Sequence, residues 1–340
     1  MSKRRIAIQL ELNHPHDLLS RRFLFDVELF GNMLEHQEDA KIVRYIDLTS
    51  LENTSPTIID ENLQETIGDL HFSAKIKDGS YSKIFVFFEH QSKKILRFWL
   101  RILRKLLQFY ERYDSDPQNR ISDGENYPYP LVVILYHGKN HWEELLQLKD
   151  LVSLPEGMNP RVLWFPVILI DLSQKTPEEL DKYHPALRAL IDSLASYSAG
   201  VLEESRERIF GYFKEIKEDS RVYGWTKSLT KYFGTLTLIG EDVLIESISE
   251  ILNPEGAEEM VKSTIRELYM EGIMEGKIEG LIEGRIKDVL KLLKSRFKRI
   301  PAATEKAIQS YRDPIALESL FEQALDCESL AEFERDLAHL

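Results

Sequence analysis

The spacing of apolar and polar positions in the first half of the chain predicts a sheet. Leu70 to Ile76 and Ile84 to Gln91 read as two strands, and Asp78-Gly79 between them is a hairpin signal. Leu131 to Leu135 and Val162 to Ile170 are short, β-rich apolar runs bounded by turn residues, as is typical of buried strands.

Segments with helical spacing flank these strands. Leu18 to Leu34 and Ser92 to Tyr113 are amphipathic, and Trp142 to Leu151 also looks helical. Residues 38–60 look like loop with a short extended piece, and residues 114–130 are rich in Asp, Asn, Gly and Pro, which indicates an exposed loop. The order helix, hairpin, helix, strand, helix, strand predicts an α/β fold around a mixed sheet.

The second half of the chain has a different pattern. From about Pro177 the strand signal disappears, and amphipathic helices separated by Gly and Pro continue to the end. The change falls near residues 172–178. We therefore predict an all-α C-terminal region and divide the chain into residues 1–175, 176–265 and 266–340.

One internal repeat lies within the last segment. Residues 271–286 are four successive tetrapeptides that each begin Glu-Gly. On a helix, a period of four stacks the glycines in one slowly drifting stripe, although each glycine costs about 1 kcal/mol relative to alanine. Close packing on a partner helix would compensate for this cost, and a flexible hinge is the alternative interpretation. The stripe consists of Gly272, Gly276, Gly280 and Gly284.

Composition limits the class of protein. The 340 residues are 43% hydrophobic and 30% charged, as in an ordinary globular protein. Cys327 is the only cysteine, which excludes a disulfide framework and a cysteine-rich zinc site and fits a cytoplasmic setting. We expect no secretory signal in the basic N-terminus and no membrane span, since no apolar run approaches about 18 residues.

Charge limits the partners. The net charge of -13 argues against a surface covered in nucleic acid, because repulsion would oppose phosphate binding. A local basic groove remains compatible with this total.

Two carboxylates are the leading candidates for chemistry. The predicted hairpin folds Asp69, at the start of one strand, against Glu89, at the end of the next, and paired carboxylates can bind a hard divalent cation. A two-residue loop would set Asp69 across from Phe88, on the wrong face. An odd-length loop, such as a three-residue turn, would set it opposite Glu89. The alternative is that both acids merely end their strands, although a carboxylate ending a strand as apolar as this one needs a partner.

A basic stripe follows the second carboxylate, with no acidic residue before Glu111. Its spacing of i, i+3, i+7 and i+10 places it on one helix face, where it could hold a phosphodiester backbone. A solvated helix face is the alternative interpretation. The stripe consists of Lys94, Arg97, Arg101 and Arg104.

Weaker signals concern two histidine motifs. In His16-Asp17, the aspartate could place an acid near the metal, or it could be a helix N-cap. His137 follows a buried strand and could reach the site, although a structural role suits it better.

The motifs together resemble the Rpn (recombination-promoting nuclease), or YhgA-like putative transposase, family of the PD-(D/E)xK nuclease superfamily. The resemblance covers roughly residues 14–175, and the stretch from about Glu271 resembles a domain of unknown function often appended to such proteins. The matching pieces are His16-Asp17-Leu18-Leu19, residues 59–65, Asp69-Leu70, Glu89-His90-Gln91-Ser92, the helix from Arg97, and residues 130–138.

The resemblance implies a restriction-endonuclease-like mixed sheet flanked by helices and a metal-dependent DNA endonuclease. Asp69 and Glu89 would hold Mg²⁺ or Mn²⁺, Gln91 takes the place of the superfamily lysine, and Asp17 is a possible additional acid. Family members are associated with recombination, mobile elements and phage defence.

Two hypotheses follow. The leading one is a Mg²⁺-dependent endonuclease that binds DNA through the basic stripe and forms a homo-oligomer, a dimer, through its helical C-terminal region. The alternative is a non-catalytic, oligomeric DNA- or protein-binding scaffold derived from a nuclease fold.

Overall fold

The chain divides into two compact units, Met1–Thr264 and Ile265–Leu340. The division of the chain into three segments stays a prediction. The computed structural model describes residues 15–37, 41–55, 57–59, 65–67, 70–77, 81–89, 96–115, 127–138, 142, 167–172 and 175–337.

The first unit contains the sheet, and the described part of the chain holds seven strands. These are β1 (Ile46–Asn53), β2 (Thr57–Ile59), β3 (Glu65–Ile67), β4 (Leu70–Ile76), β5 (Tyr81–Glu89), β6 (Tyr129–Tyr136) and β7 (Val167–Asp171).

Helices precede, interrupt and follow the strands. They are α1 (Pro15–Leu24), α2 (Val27–Glu35), α3 (Leu96–Ser115), α4 (Pro185–Ala199), α5 (Arg206–Gly211), α6 (Val222–Leu236), α7 (Glu241–Leu252), α8 (Pro254–Phe297), α9 (Ala302–Gln309), α10 (Pro314–Asp326) and α11 (Leu330–Leu337). Short 3₁₀ helices lie at Lys41–Tyr45, Pro177–Leu180 and Tyr212–Ile216.

The main sheet has five strands in the order β1-β4-β5-β6-β7, and β2 and β3 form a separate antiparallel pair. The β1–β4 and β4–β5 pairs are antiparallel, whereas β5–β6 and β6–β7 are parallel. The predictions of an α/β fold with a mixed sheet and a helical C-terminal region are confirmed.

The hairpin of β4 and β5 has an odd loop, which is the condition that the metal-site hypothesis sets. Lys75 pairs with Tyr81, which leaves the five residues 76–80 between the last paired positions. Odd-numbered residues of β4 therefore pair with odd-numbered residues of β5, as His71 does with Phe85.

The predicted register of the hairpin was nevertheless wrong by two residues. Direct opposition of Asp69 and Glu89 requires Leu70 to pair with Phe88, but Leu70 pairs with Val86. The pairing is centred on position 78 of the chain, whereas direct opposition of Asp69 and Glu89 would centre it on position 79, so each β4 residue pairs two residues closer to the start of β5. Because side chains alternate with a period of two, a shift of two residues leaves every position on its original face. Asp69 itself lies outside the described residues.

Helices cover both faces of the sheet. On one face, Phe30 of α2 stacks on Phe72 of β4, with ring centroids 4.1 Å apart. On the other face, α3 buries an apolar stripe against β6. The buried residues of this second contact are Trp99, Ile102 and Leu106 of α3 with Val132 and Ile134 of β6.

The predicted first helix is in fact two helices. The chain leaves the helical path after Leu24, and Asp26 caps α2 by accepting hydrogen bonds from the amides of Glu28 (3.0 Å) and Leu29 (3.3 Å). An aspartate stabilises a helix N-terminus by pairing amides that have no partner inside the helix. The break therefore has a local cause that the apolar spacing hides.

The prediction of loop with a short extended piece over residues 38–60 missed most of the extent of β1, which spans eight residues. This edge strand carries few buried residues and pairs with β4 through an irregularity between Asp47 and Glu52. At one position of the β1–β4 ladder a side chain takes the place of a backbone carbonyl. Ser50 Oγ accepts a hydrogen bond from the Lys75 amide (2.8 Å). A polar, irregular edge strand gives little alternation for a sequence pattern to detect.

The other predicted elements lie near their observed bounds. The helix predicted over 92–113 overlaps α3, while residues 92–95 lie outside the described residues. The run predicted at 131–135 lies inside β6. The predicted 162–170 strand overlaps β7, while 162–166 lie outside the described residues. Trp142 belongs to no helix or strand, and the rest of the helix predicted over 142–151 lies outside them.

The helices after the sheet enclose a buried charge. Asp192 of α4 is buried and accepts two hydrogen bonds from the guanidinium of Arg208 of α5, at 2.7 and 2.9 Å. Ser196 and Tyr212 also donate to this carboxylate. Burial raises the pKa of Tyr212 to about 12, so its hydroxyl keeps its proton at neutral pH.

The second unit is helical and has its own core. Arg296 of α8 donates to the carbonyl groups of Ala324, Leu325 and Cys327, where α10 ends. These bonds satisfy carbonyls that have no partner within the helix. The core comprises Ile282, Val289, Leu290, Leu293, Ile308, Leu317, Leu320, Ala324, Cys327 and Phe333. Across both units, none of the described helices is long and apolar enough to cross a membrane.

Candidate functional site

Three parallel strands end together at one edge of the main sheet. Glu89 is the last residue of β5 and pairs with Tyr136, which is the last residue of β6. Tyr136 pairs in turn with Asp171, the last residue of β7. Glu89, Tyr136 and Asp171 therefore form one register row at the carboxyl edge, where open α/β sheets bind their ligands.

The side chains of Tyr136 and Asp171 both contact Trp142. The Trp142 amide donates a hydrogen bond of 2.9 Å to Asp171 Oδ2. The Tyr136 and Trp142 rings meet edge to face, with centroids 5.0 Å apart. The Leu172 amide donates to the Tyr136 carbonyl (2.8 Å), which extends the ladder past the end of β7.

The start of α1 packs against the end of β6. The rings of His16 and His137 have centroids 5.0 Å apart, and both side chains are buried, with 5% and 1% of their surface exposed. This contact between two buried imidazoles holds the start of α1 against His137, which directly follows Tyr136 of the register row.

Helices α4 and α6 complete this histidine cluster, which consists of His16, His137, Tyr197 and Tyr232. Tyr232 Oη lies 2.8 Å from His16 Nδ1, and the Tyr197 ring lies 4.3 Å from that of His16. Ser198 Oγ donates to the His137 carbonyl at 2.7 Å. Burial raises the pKa of Tyr232 well above its usual value, so the phenol stays neutral.

Asp17 follows the cluster directly in sequence. It is the third residue of α1 and lies in the first turn, so the N-cap interpretation was wrong. An acidic group in the first turn is favourable because the helix dipole is positive there. The contact of the neighbouring His16 with His137 brings the first turn of α1 to the carboxyl edge. The role of Asp17 as an additional acid stays a prediction.

Three of the four residues of the basic stripe lie in α3. Arg101 and Arg104 are exposed on α3, as a phosphate-binding face requires, while Lys94 lies outside the described residues. Arg97 belongs to the first turn of α3. Since α3 packs on Val132 and Ile134, which alternate in phase with Tyr136, it covers the same face of β6 as the register row.

One of the two predicted metal ligands lies among the residues that the structure describes. Glu89 is placed at the end of β5, whereas Asp69 and Gln91 lie outside the described residues. Within the described residues, no group of three or more histidine, cysteine, aspartate or glutamate side chains is arranged to hold a metal ion.

Sequence reasoning missed Asp171, Tyr197 and Tyr232. Asp171 had a usable signal, since it is an acid directly after a buried apolar run, as Glu89 is. Tyr232 had none, because it lies 216 positions from His16 in the chain.

Comparison with known families agrees with these motifs. The profile described as "Putative transposase, YhgA-like" matches residues 14–221, which is more than half of the chain. The chain belongs to this family. The resemblance drawn from the sequence motifs is thereby confirmed.

Two relatives of this YhgA-like chain carry nuclease names. Recombination-promoting nuclease RpnD of Escherichia coli O157:H7 is 29% identical over 126 residues, which are 36% of this chain and 45% of RpnD. Recombination-promoting nuclease RpnC of Escherichia coli K12 is 26% identical over 125 residues, or 34% of this chain and 41% of RpnC.

A shorter relative has a different name. "Putative inactive recombination-promoting nuclease-like protein YjiP" of Escherichia coli K12 is 30% identical over 90 residues, or 26% of this chain and 86% of YjiP. The matches thus span less than half of RpnD and RpnC but most of YjiP. No solved structure matches the chain.

Proposed function

We propose that this YhgA-like protein is a metal-dependent DNA endonuclease whose active site lies at the carboxyl edge of the main sheet. The observation that carries the proposal is the register row, since it sets the Glu89 position at the end of a parallel strand beside Tyr136 and Asp171. The nuclease names of the relatives support the same chemistry.

We also propose that the first part of the chain has a restriction-endonuclease-like fold. The mixed five-stranded sheet combines an antiparallel hairpin with parallel strands and carries α2 and α3 on its two faces. We infer that residues 1–175 adopt a restriction-endonuclease-like arrangement on this basis.

The donor set suits a hard divalent cation. Asp69 and Glu89 offer carboxylate oxygens, which are the ligands that Mg²⁺ and Mn²⁺ prefer. The odd hairpin loop supports their cooperation, because it gives odd-numbered positions of β4 and β5 the same face. A divalent ion bound there would supply Lewis-acid activation of water and of the phosphodiester.

Other residues would bind and orient the substrate. Gln91 stands where the superfamily has lysine, so its amide can hydrogen-bond to a water or a phosphate oxygen without supplying charge. Asp17 could accept a proton near the same edge. The basic stripe would hold the DNA backbone, since Arg101 and Arg104 are exposed on α3.

The primary test is cleavage of supercoiled plasmid DNA at increasing Mg²⁺ and Mn²⁺ concentration. Asp69→Asn and Glu89→Gln should each lower the rate by at least about 100-fold, while DNA binding is retained. Glu246→Gln, at an exposed position of α7, is the matched control and should cleave at the wild-type rate. Wild-type cleavage by Asp69→Asn or Glu89→Gln would remove the proposed roles.

Backbone binding has a separate test. Arg101→Ala and Arg104→Ala should each weaken DNA binding regardless of sequence and reduce the slope of log affinity against log salt by about 1. Unchanged slopes in both variants would exclude α3 from the DNA interface.

The second candidate is a non-catalytic DNA- or protein-binding scaffold. The neutral Gln91 and the word "inactive" in the name of YjiP favour it. It predicts metal-independent binding and no cleavage under any metal condition. Gln91→Lys discriminates the two candidates, because restoring the superfamily charge should raise the rate of an enzyme and leave a scaffold inert.

A further inference from the structure

Helix α3 exposes two large apolar side chains beside its basic residues. Leu100 is 57% exposed and Leu107 is 60% exposed, whereas Trp99, Ile102 and Leu106 of the same helix are buried in the cluster with β6. The two leucines lie on one side of the helix, about 10 Å apart along its axis. They form the leucine ridge, which the packing of α3 on the sheet leaves uncovered.

The exposed arginines of the basic stripe run beside the leucine ridge. At about 100° per residue, Arg104 lies about 40° and Arg101 about 100° around the helix from Leu100. Both arginines are exposed. Glu111 is the first acidic residue of α3 and comes one turn after Leu107. An apolar strip and a positively charged strip therefore run side by side along α3, and both end before this acid.

These two strips match the two edges of a single DNA strand. An unpaired strand has a charged phosphate edge and base faces that are open to apolar contact, whereas a duplex hides those faces in its stack. Duplex DNA or solvent would satisfy the arginines and leave the leucines in contact with water. A single strand satisfies both strips at once, because its bases remove the leucines from water while its phosphates meet the arginines.

The position of α3 links this surface to the proposed active site. The helix covers the face of β6 that carries the register row. Its chain direction also leads away from the end of β5, where Glu89 lies. A strand bound along α3 would therefore continue from the carboxyl edge.

We propose that α3 binds an unpaired DNA strand, with the phosphates on Arg101 and Arg104 and the bases on the leucine ridge. The inference rests on the proposed function, since it names the form of DNA that the carboxyl edge receives. This form is a strand that is unpaired next to the point of cleavage, as in a gap, a flap or a frayed end. We expect little sequence preference, because leucine offers no hydrogen bond to a base edge.

The test is fluorescence anisotropy of labelled oligonucleotides bound to the full-length protein in EDTA, so that binding is measured without cleavage. The wild type should bind a single strand at least about 10-fold more tightly than a blunt duplex of the same length. Phosphate contacts alone predict the opposite order, because the duplex has the higher charge density.

The leucine ridge is tested by the double variant Leu100→Gln/Leu107→Gln. It should lose most of the preference for the single strand and keep the wild-type affinity for the duplex. Both sites are exposed, and glutamine is about as good a helix former as leucine, so the fold should be retained. Leu238→Gln, at an exposed position outside α3, is the control and should keep the full preference.

A strand without bases separates base contacts from phosphate contacts. An abasic oligonucleotide keeps its phosphates, so the wild type should bind it as weakly as the double variant binds the normal strand. The leucine substitutions should not weaken abasic binding further. Arg101→Ala should instead weaken binding to all three DNA ligands. Equal leucine effects on normal and abasic strands, or a wild type that binds the duplex as tightly as the single strand, would overturn the proposal.

Plasmid cleavage distinguishes failure of this inference from failure of the proposed function. A wild type that cleaves plasmid DNA, with a double variant that keeps the full single-strand preference, would refute the leucine ridge alone. A wild type that shows the preference but cleaves nothing at any metal concentration would support the ridge and remove the endonuclease.

Discussion

The hydrogen bond between Tyr232 and His16 holds α6 to the first turn of α1. Both side chains are buried, and the atoms lie 2.8 Å apart. Tyr232→Phe removes the hydroxyl with little change of shape, so we expect the free energy of unfolding to fall by about 1 kcal/mol. Chemical denaturation would measure the loss.

Tyr223 provides the control for this change. It lies on the same helix and is 51% exposed, so Tyr223→Phe should leave stability within about 0.5 kcal/mol of wild type. Equal effects of the two substitutions would show that the buried hydrogen bond contributes nothing specific.

Arg221 connects the start of α6 to the start of α2. Its guanidinium donates to Asp219 (2.7 Å) and Asp26 (2.9 Å) and lies over the Trp225 ring. The hydrogen bond to Asp26 joins segments 195 positions apart in the sequence, and no local sequence pattern predicts it.

The Asp219–Arg221 contact should make stability depend on pH in the acidic range. Hydrogen bonding to Arg221 lowers the pKa of Asp219 from its usual 3.8 to about 2. Since the folded pKa is the lower one, the stabilisation is present above about pH 4 and is lost as the pH falls toward 2. We expect a loss of about 1 kcal/mol after allowing for solvent screening.

Asp219→Asn should remove this dependence. The difference in unfolding free energy between wild type and the variant should shrink between pH 4 and pH 2. Asp242→Asn, at an exposed position of α7, serves as the control. A constant difference across that range would contradict the assignment to Asp219.

Among the elements, α3 offers a sharp test of packing. Leu106 is 5% exposed and packs in the cluster with Ile134, while its neighbour Leu107 is 60% exposed. Leu106→Ala should cost about 2–4 kcal/mol, because it removes buried area and leaves a cavity. Leu107→Ala should cost less than about 0.5 kcal/mol. Similar costs measured by denaturation would contradict the packing of α3 on the sheet.

Strong periodicity made several elements predictable. The bounds predicted for β4 match those observed, and β6 contains its predicted apolar run. The break before α2 was missed because Asp26 acts through a local hydrogen bond that apolar spacing does not reveal. Most of β1 was missed because it is a polar edge strand, and the hairpin register was wrong because the sequence does not fix the position on which the turn is centred.

The sequence predicted only those residues of the candidate site that have a distinctive pattern around them in the chain. Glu89 and the basic helix stood out because each has a distinctive neighbourhood in the sequence. Asp171 and Tyr136 join them only through strand order, and His16 meets Tyr232 only through tertiary packing. Such contacts join distant segments, so one sequence gives no direct signal for them.

At the scale of the whole molecule, each unit has its own buried cluster. Leu106 belongs to the cluster of the first unit, and Leu320, which is fully buried, belongs to that of the second. In calorimetry, we expect two unfolding transitions. Leu106→Ala should lower the midpoint temperature of one of them, and Leu320→Ala should lower that of the other. A single transition that moves as a whole in both variants would contradict independent cores.

The contact between His16 and Tyr232 also has a consequence for synthesis. A ribosome releases His16 long before it makes Tyr232, which lies 216 residues later. The β4–β5 hairpin can form early, whereas the first turn of α1 must wait for α6 before it is fixed at the carboxyl edge. We expect a nascent chain stalled before α6 to leave α1 open to proteases and one stalled beyond α7 to protect it. The carboxyl edge of the sheet would therefore gain the first turn of α1 only after residue 236 has been synthesised.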